Sequence, residues 1–172
     1  MKSARPVLAQ LLAALLLVTV LLPANGMRQR KPTGVSAGPN GAAQVLFDDG
    51  SRLIVPKERD QVSIRDAQVA RDGTAGWLAE YSISGVADAI AGTLVIWREG
   101  KSLRKFQADQ SFWSWTFYAQ GKQVAYHVGP LHGERKSHCE LYDVASGRRL
   151  AVWDGDLDSA VARPAWAQGL TH

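Results

Sequence analysis

Cysteine is almost absent from this chain: Cys139 is the only one in 172 residues. That excludes an intramolecular disulfide, so the fold must be held by its apolar core. In an oxidising compartment a lone thiol is either buried as a small hydrophobe or paired between chains. On the strand-like phrase HCELYD, Cys139, Leu141 and Asp143 share one face and His138, Glu140 and Tyr142 the other. The buried reading fits that pattern. After the first 26 residues no stretch is long and apolar enough to span a bilayer. No 3.6-residue apolar stripe follows either, so helices are not expected. Charge of one sign is also lacking. There are 20 Lys and Arg against 16 Asp and Glu, and without Lys2 and Arg5 the count is 18 against 16. So small a surplus gives little steering toward phosphate. The basic residues are scattered as well: Arg28, Arg30 and Lys31, then Lys101, Arg104 and Lys105, then Arg148 and Arg149. On strands these read as solvated faces, and nucleic acid is not an expected partner. No P-loop, dinucleotide fingerprint, catalytic triad or carboxylate pair lies on a scaffold that could use it. No cofactor and no enzymatic activity are expected.

What is present begins at the N-terminus. Lys2 and Arg5 precede an apolar run from Val7 to Leu22, broken by Gln10 and Thr19. Pro23 ends the run, and Ala24-Asn25-Gly26 sets small residues before a cut at Met27. This is the order of a secretory signal peptide, and it places the protein in the periplasm or outside the cell. The rival reading is an uncleaved anchor at the short limit of a span. The signal peptide is otherwise the only expected membrane contact. No lipid-accepting thiol stands near the cut. With 1–26 removed, 146 residues remain, enough for one domain with its own core. Residues 27–42 (MRQRKPTGVSAGPNGA) are rich in Gly, Pro and polar residues and read as a flexible leader. The repeat domain is expected over 43–172.

Within it, Gly73, Gly121 and Gly169 stand 48 residues apart and end the phrases VARDG, FYAQG and AWAQG. Between them Gly50, Gly100 and Gly147 sit in the hairpin-like phrases QVLFDDGSRL, LVIWREGKSL and ELYDVASGRRL. Self-similarity at this period is the signature of propeller blades and related arrays. The strands expected from β-branched and aromatic runs between turn signals are 44–47, 52–55, 62–70, 76–82, 93–98, 102–107, 112–119, 122–128, 138–143, 148–153 and 165–167. Aligned on the period, they form two complete four-stranded units, a leading hairpin that matches the third and fourth strands, and a trailing phrase that matches the first. The fold class is therefore all-β, with tandem four-stranded antiparallel blade-like sheets.

The phrases VARDGTAGWLAEY, FYAQGKQVAYHV and YDVASGRRL resemble the WD-repeat-like and TolB-like β-propeller repeats of bacterial secreted proteins. The resemblance covers about 43–169. It implies an incomplete propeller, because a closed ring typically takes four or more blades. Two packed sheets and a ring completed by a second chain are the alternatives.

Several residue groups could carry chemistry. Gly34-Val35-Ser36-Ala37-Gly38 matches the nucleophile-elbow pattern, but it lacks the strand-to-helix turn that the pattern requires. His127, His132 and His138, with Cys139 and Glu134, could clip a hairpin around Zn²⁺ or Cu, although their spacing matches no standard signature. The same loop, 129–137, is the longest insertion of its unit and the preferred place for a partner contact, through His132, Glu134, Arg135 and Lys136. Trp113, Trp115 and Phe117 alternate and should share a face, for core packing or for stacking on sugar rings. Trp77, Trp97, Trp153 and Trp166 recur at equivalent points of the repeat and read as structural. Asp154, Asp156 and Asp158 offer hard oxygens for Ca²⁺ but lack the remaining ligand spacing. The expected function is that of an exported, non-enzymatic module that binds a protein or an envelope component, with self-association through strand edges also open. A metal-dependent factor built on the His loop and a carbohydrate module built on the Trp face are the alternatives.

Overall fold

Short runs of β-branched and aromatic residues between Gly- and Asp-containing turns become eleven strands among the described residues, each paired with at least one neighbour in sequence. The computed structural model describes residues 30–85, 88–99, 104–131, 137–155 and 163–171. The first sheet holds β1 (Pro32–Ala37), β2 (Ala43–Phe47) and β3 (Arg52–Val55). The second holds β4 (Gln61–Val69), β5 (Ala75–Tyr81), β6 (Ile90–Trp97) and β7 (Arg104–Gln107). The third holds β8 (Ser111–Tyr118), β9 (Gln123–Gly129), β10 (His138–Asp143) and β11 (Arg149–Trp153). All pairings are antiparallel, with Val45 opposite Leu53, Leu78 opposite Leu94 and Ala125 opposite Leu141. The protein is all-β, built of three antiparallel sheets that do not close into a barrel.

The sheets stack face on face, and the period-2 alternation of each strand decides which side chains meet. Val45, Phe47 and Val55 of the first sheet pack on Trp77, Ala79 and Val95 of the second. The opposite face of the second sheet offers Leu78, Leu94, Ile96 and Phe106 to Phe112, Trp115, Val124, Tyr126 and Val128 of the third. The far face of the third sheet carries Ala125, Cys139 and Leu141, covered by Ala167 and Leu170 from the C-terminal segment. A strand in the middle of such a stack is buried on both faces, which is why five successive residues of β5 and six of β9 are buried. Each large side chain so buried contributes about 1.5–3 kcal/mol. With no disulfide, these layers are what hold the sheets together.

The innermost strands β4 and β8 are not paired as sheet neighbours; side chains stitch them. Arg65 Nη2 donates to Phe112 O at 2.7 Å and Gln68 Nε2 to Trp115 O at 2.8 Å. In return the Trp115 indole N–H donates to Asp66 O at 2.8 Å. These partners are 47 to 49 residues apart, the repeat period realised as contact. The repeat glycines have the same meaning. Gly121 sits at φ +91, and a Cβ there would stand 2.7 Å from Asp72 Oδ1 and 2.8 Å from Ala70 Cβ. The turn of one unit therefore nests on the turn of the unit before it, with no room for a side chain.

Two segments depart from the expected layout. Pro32–Ala37, read as part of a flexible leader, is strand β1, with Val35 opposite Val45 and packed on the first core. A lone Val among small residues is a weak strand signal; the partner strand β2 supplies the rest. Residues 165–167, expected as a strand, form a 3-10 turn after Pro164 that seats Ala167 and Leu170 on the third sheet. The signal peptide reading falls on residues outside those described.

Gly76 is where Trp115 crosses the second sheet: a Cβ there would lie 2.6 Å from the ring's Cη2 and 2.8 Å from Ile96 Cδ1. Gly76→Ala should lower stability by about 1–3 kcal/mol through overpacking. Trp115→Phe should cost about 1–3 kcal/mol by stranding Asp66 O. Urea midpoints measure both, and wild-type midpoints would show that the ring is not lodged there.

Candidate binding site

The outer edge of each sheet is its last strand, and the repeat makes the three comparable. After Gly50, Gly100 and Gly147 the phrases run SRLIV, KSLRKF and RRLAVW. In the middle sheet the aligned positions are Arg104 and Lys105, and both are used between sheets. Lys105 pairs with Glu58 ahead of β4, and Arg104 donates to Ala145 O in the turn after β10. In the end sheets the same positions are Ile54 and Val55, then Ala151 and Val152. Leu53, Ile54, Leu150 and Val152 are 37%, 42%, 36% and 44% exposed on unpaired outer strands. Edge strands usually carry charge or proline to block pairing. Here β3 and β11 each hold a single arginine, Arg52 and Arg149, followed by apolar residues, and neither holds a carboxylate.

Between the second and third sheets lies a cleft of about 400 Å³. Ile96 and Val144 give it apolar lining; Arg98, Arg104, Lys122, Asp72 and Asp143 give it charge. Asp72 is engaged twice, accepting from Thr74 N–H at 2.9 Å and pairing with Arg98. Asp143 Oδ1 accepts from Ser146 N–H at 2.7 Å and from its hydroxyl at 2.6 Å, and these bonds hold its pKa below the usual carboxylate value. Lys122 is exposed and makes no ion pair with a described residue. Arg104 and Lys105 were legible only as scattered cations expected on a solvated face. Their partners, Ala145 and Glu58, are 41 and 47 residues away in sequence.

A buried polar group lies deeper between the same sheets. Glu140, 7% exposed, accepts from the Tyr126 hydroxyl at 2.7 Å and from Arg149 Nη1 at 2.7 Å, while His138 Nε2 stands 3.4 Å away. Burial opposes the charge on Glu140, but the hydrogen bonds from Tyr126 and Arg149 and the Arg149 charge outweigh it, so its pKa is lowered. Tyr126 is pushed far up by burial and by its bonds to Tyr142 and Glu140. It stacks on Tyr142 at 5.4 Å, between Phe106 and Phe112. Both carboxylate oxygens of this buried group are taken by partners within the fold.

The residues singled out in the sequence are dispersed. Trp113, Trp115 and Phe117 do not share a face, because a β-bulge between Phe112 and Ser114 turns Trp113 out of register. Phe112, Trp115 and Phe117 face the second core, with Trp115 and Phe117 edge-on at 4.9 Å, and Trp113 is 38% exposed over Gly129. His127 lies opposite Cys139 and His138 opposite Val128, which puts the two histidines on opposite faces of the sheet. They cannot clip one ion together. His127 is buried, with Nδ1 3.3 Å from Thr171 O. His132, Glu134, Arg135 and Lys136 lie outside the described residues, as do Asp156 and Asp158. Among the described residues no three His, Cys, Asp or Glu side chains converge as a metal site. Gly34–Gly38 runs through β1, which ends in a 3-10 turn, so no elbow geometry arises. Trp77 is buried, and Trp97, Trp153 and Trp166 are half-buried against the cores.

Comparison with protein-family models, with characterised proteins and with solved structures found no match to this chain.

Two outcomes follow from the buried groups. Glu140→Gln should cost about 2 kcal/mol at pH 7, the size of a hydrogen bond to a charged group. The folded carboxyl has the lowered pKa, so its contribution is complete above the unfolded value of about 4.3 and fades as pH falls through the folded value. Denaturation of both proteins from pH 7 to pH 3 should show the gap closing only below about pH 4; a constant gap would mean the charge is not involved. Cys139, 1% exposed, has its thiol pushed up to about 11 by burial. It should resist a thiol-reactive disulfide reagent in the folded protein at pH 8 and react on denaturation. Rapid labelling without denaturant would show that the C-terminal segment does not cover it.

Proposed function

We propose that this protein is an exported, non-enzymatic binding module, an incomplete β-propeller of the WD-repeat-like and TolB-like kind. It takes an extended segment of a partner protein onto the outer edges of its end sheets. The signal-like N-terminus supports placement in the periplasm or outside the cell. The observation that carries the binding reading is the contrast between equivalent strands. The middle sheet sets Arg104 and Lys105 at its edge and spends both on neighbouring sheets, whereas β3 and β11 leave apolar residues exposed on an unpaired edge. An unpaired edge offers backbone N–H and C=O groups to an incoming strand, and alternate apolar side chains add specificity.

Charge decides the occupant. Arg149 of β11 is already paired with Glu140, but Arg52 of β3 is exposed with no ion-pair partner among the described residues, so two copies of the β3 edge would bring like charges together. An extended apolar segment with acidic residues at its ends satisfies both features.

A labelled peptide, Asp-Val-Thr-Val-Thr-Val-Asp, followed by fluorescence anisotropy, tests this reading. Binding should saturate and weaken at least tenfold in Ile54→Lys combined with Val152→Lys. Both are exposed positions where stability should stay within about 0.5 kcal/mol of wild type. Absence of binding overturns the reading. So does light scattering that shows a dimer abolished by the two lysines, which would give the edges to self-association.

A further inference from the structure

A second site lies on a different part of the molecule, away from the outer edges, in the cleft between the second and third sheets. The geometry points to a pocket for a single carboxylate carried on an apolar body, held by Arg104 and Lys122. The cleft is lined by three cations, Arg98, Arg104 and Lys122, and two carboxylates, Asp72 and Asp143. The carboxylates are occupied by the fold itself. Asp72 holds Arg98 and the Thr74 N–H, and Asp143 closes the turn through Ser146. Arg98 is thereby neutralised. Arg104 reaches only the neutral backbone oxygens of Ala145 and Ser146, and Lys122 has no ion-pair partner among the described residues. Two cations from two different sheets thus face one cleft without an ion pair among the described residues, with the ionised Asp143 as their one counter-charge.

The ligand class follows from charge and lining. The surplus over the whole cleft is one positive charge, which a carboxylate balances; a phosphate monoester carries about −1.5 to −2 at neutral pH and overshoots it. The planar guanidinium of Arg104 also matches a carboxylate bidentately once a ligand displaces its carbonyl contacts. Ile96 and Val144 form the apolar part; the Trp97 ring is turned to the other face of β6, packed on the first core and edge-on to Phe47 at 6.2 Å. A volume of about 400 Å³ falls at the lower end of the range of small-ligand sites, about 300–1,000 Å³.

The same chemistry has two sources, a free small carboxylic acid or an acidic side chain of a peptide. The test uses both: 4-phenylbutyrate and acetyl-Leu-Glu-Leu-amide, each titrated into the ¹⁵N-labelled protein. The neutral analogues 4-phenylbutyramide and acetyl-Leu-Gln-Leu-amide serve as controls. Amide shifts are expected at Gly121, Lys122, Val144 and Ala145 with at least one of the acids, and whichever binds names the source. Affinity should fall about tenfold in Lys122→Gln and again in Arg104→Gln, the weight of one charge-assisted contact each. Lys122 is exposed, so its variant folds normally and keeps the test valid if Arg104→Gln loosens the turn. The inference fails if neither acid shifts these amides, if the neutral analogues bind as well as the acids, or if Lys122→Gln binds unchanged. Ile54→Lys with Val152→Lys should leave this titration untouched, so it stands or falls separately from strand capture.

Discussion

The stacking of the third sheet on the second rests on contacts between residues 47 to 49 apart, near-equivalent points of successive units. Sheets that share no ladder can separate unless something other than backbone hydrogen bonds joins them. Here the join is Trp115 passing over Gly76 to Asp66 O, with Arg65 and Gln68 answering from the other side. The indole contributes buried area and a directed hydrogen bond together, a combination that no aliphatic residue supplies. Gly76 and Gly121 are the spaces this requires. The turn, the ring and the two side-chain amide and guanidinium donors form one unit of construction at the junction of the second and third sheets.

That construction explains the uneven distribution of polarity. The second sheet has neighbours on both faces and along its outer strand, so its edge cations are engaged. The third sheet has one face on the second and the other under Ala167 and Leu170. The first sheet has one face on the second, and Leu46 and Ile54 of its other face are exposed. Among the last strands of the three sheets, exposed large apolar residues fall only on the terminal two: Leu53 and Ile54 on β3, and Leu150 and Val152 on β11. Two cations without an ion pair among the described residues, Arg104 and Lys122, lie at the junction between sheets, where turns from different units meet.

Much of the architecture was legible from the period alone. Glycines 48 apart, hairpin phrases between them and alternating apolar strands gave two four-stranded units, and β4 to β11 fall where those phrases placed them. Misreadings came at the ends and at one bulge. Pro32–Ala37 has too little intrinsic preference to announce a strand, and the AWAQG phrase copies a first strand but follows Pro164 into a 3-10 turn. The aromatic alternation in β8 was correct as sequence, but one extra residue at the bulge reversed the direction of Trp113. The His cluster was close in sequence, yet odd and even positions of paired strands face opposite ways.

By itself the sequence determined what local chemistry can determine: an all-β chain without covalent staples, its turns, its repeat period and a buried Cys139. These follow from side-chain alternation and turn preference, properties of neighbours along the chain. Tertiary structure alone decided which strands have both faces covered, which edges are left open, and that Arg104 and Lys122 face one cleft. Those facts depend on how successive units lie against one another. Two residues far apart in sequence carry no local mark of meeting, and only the stacking brings them together.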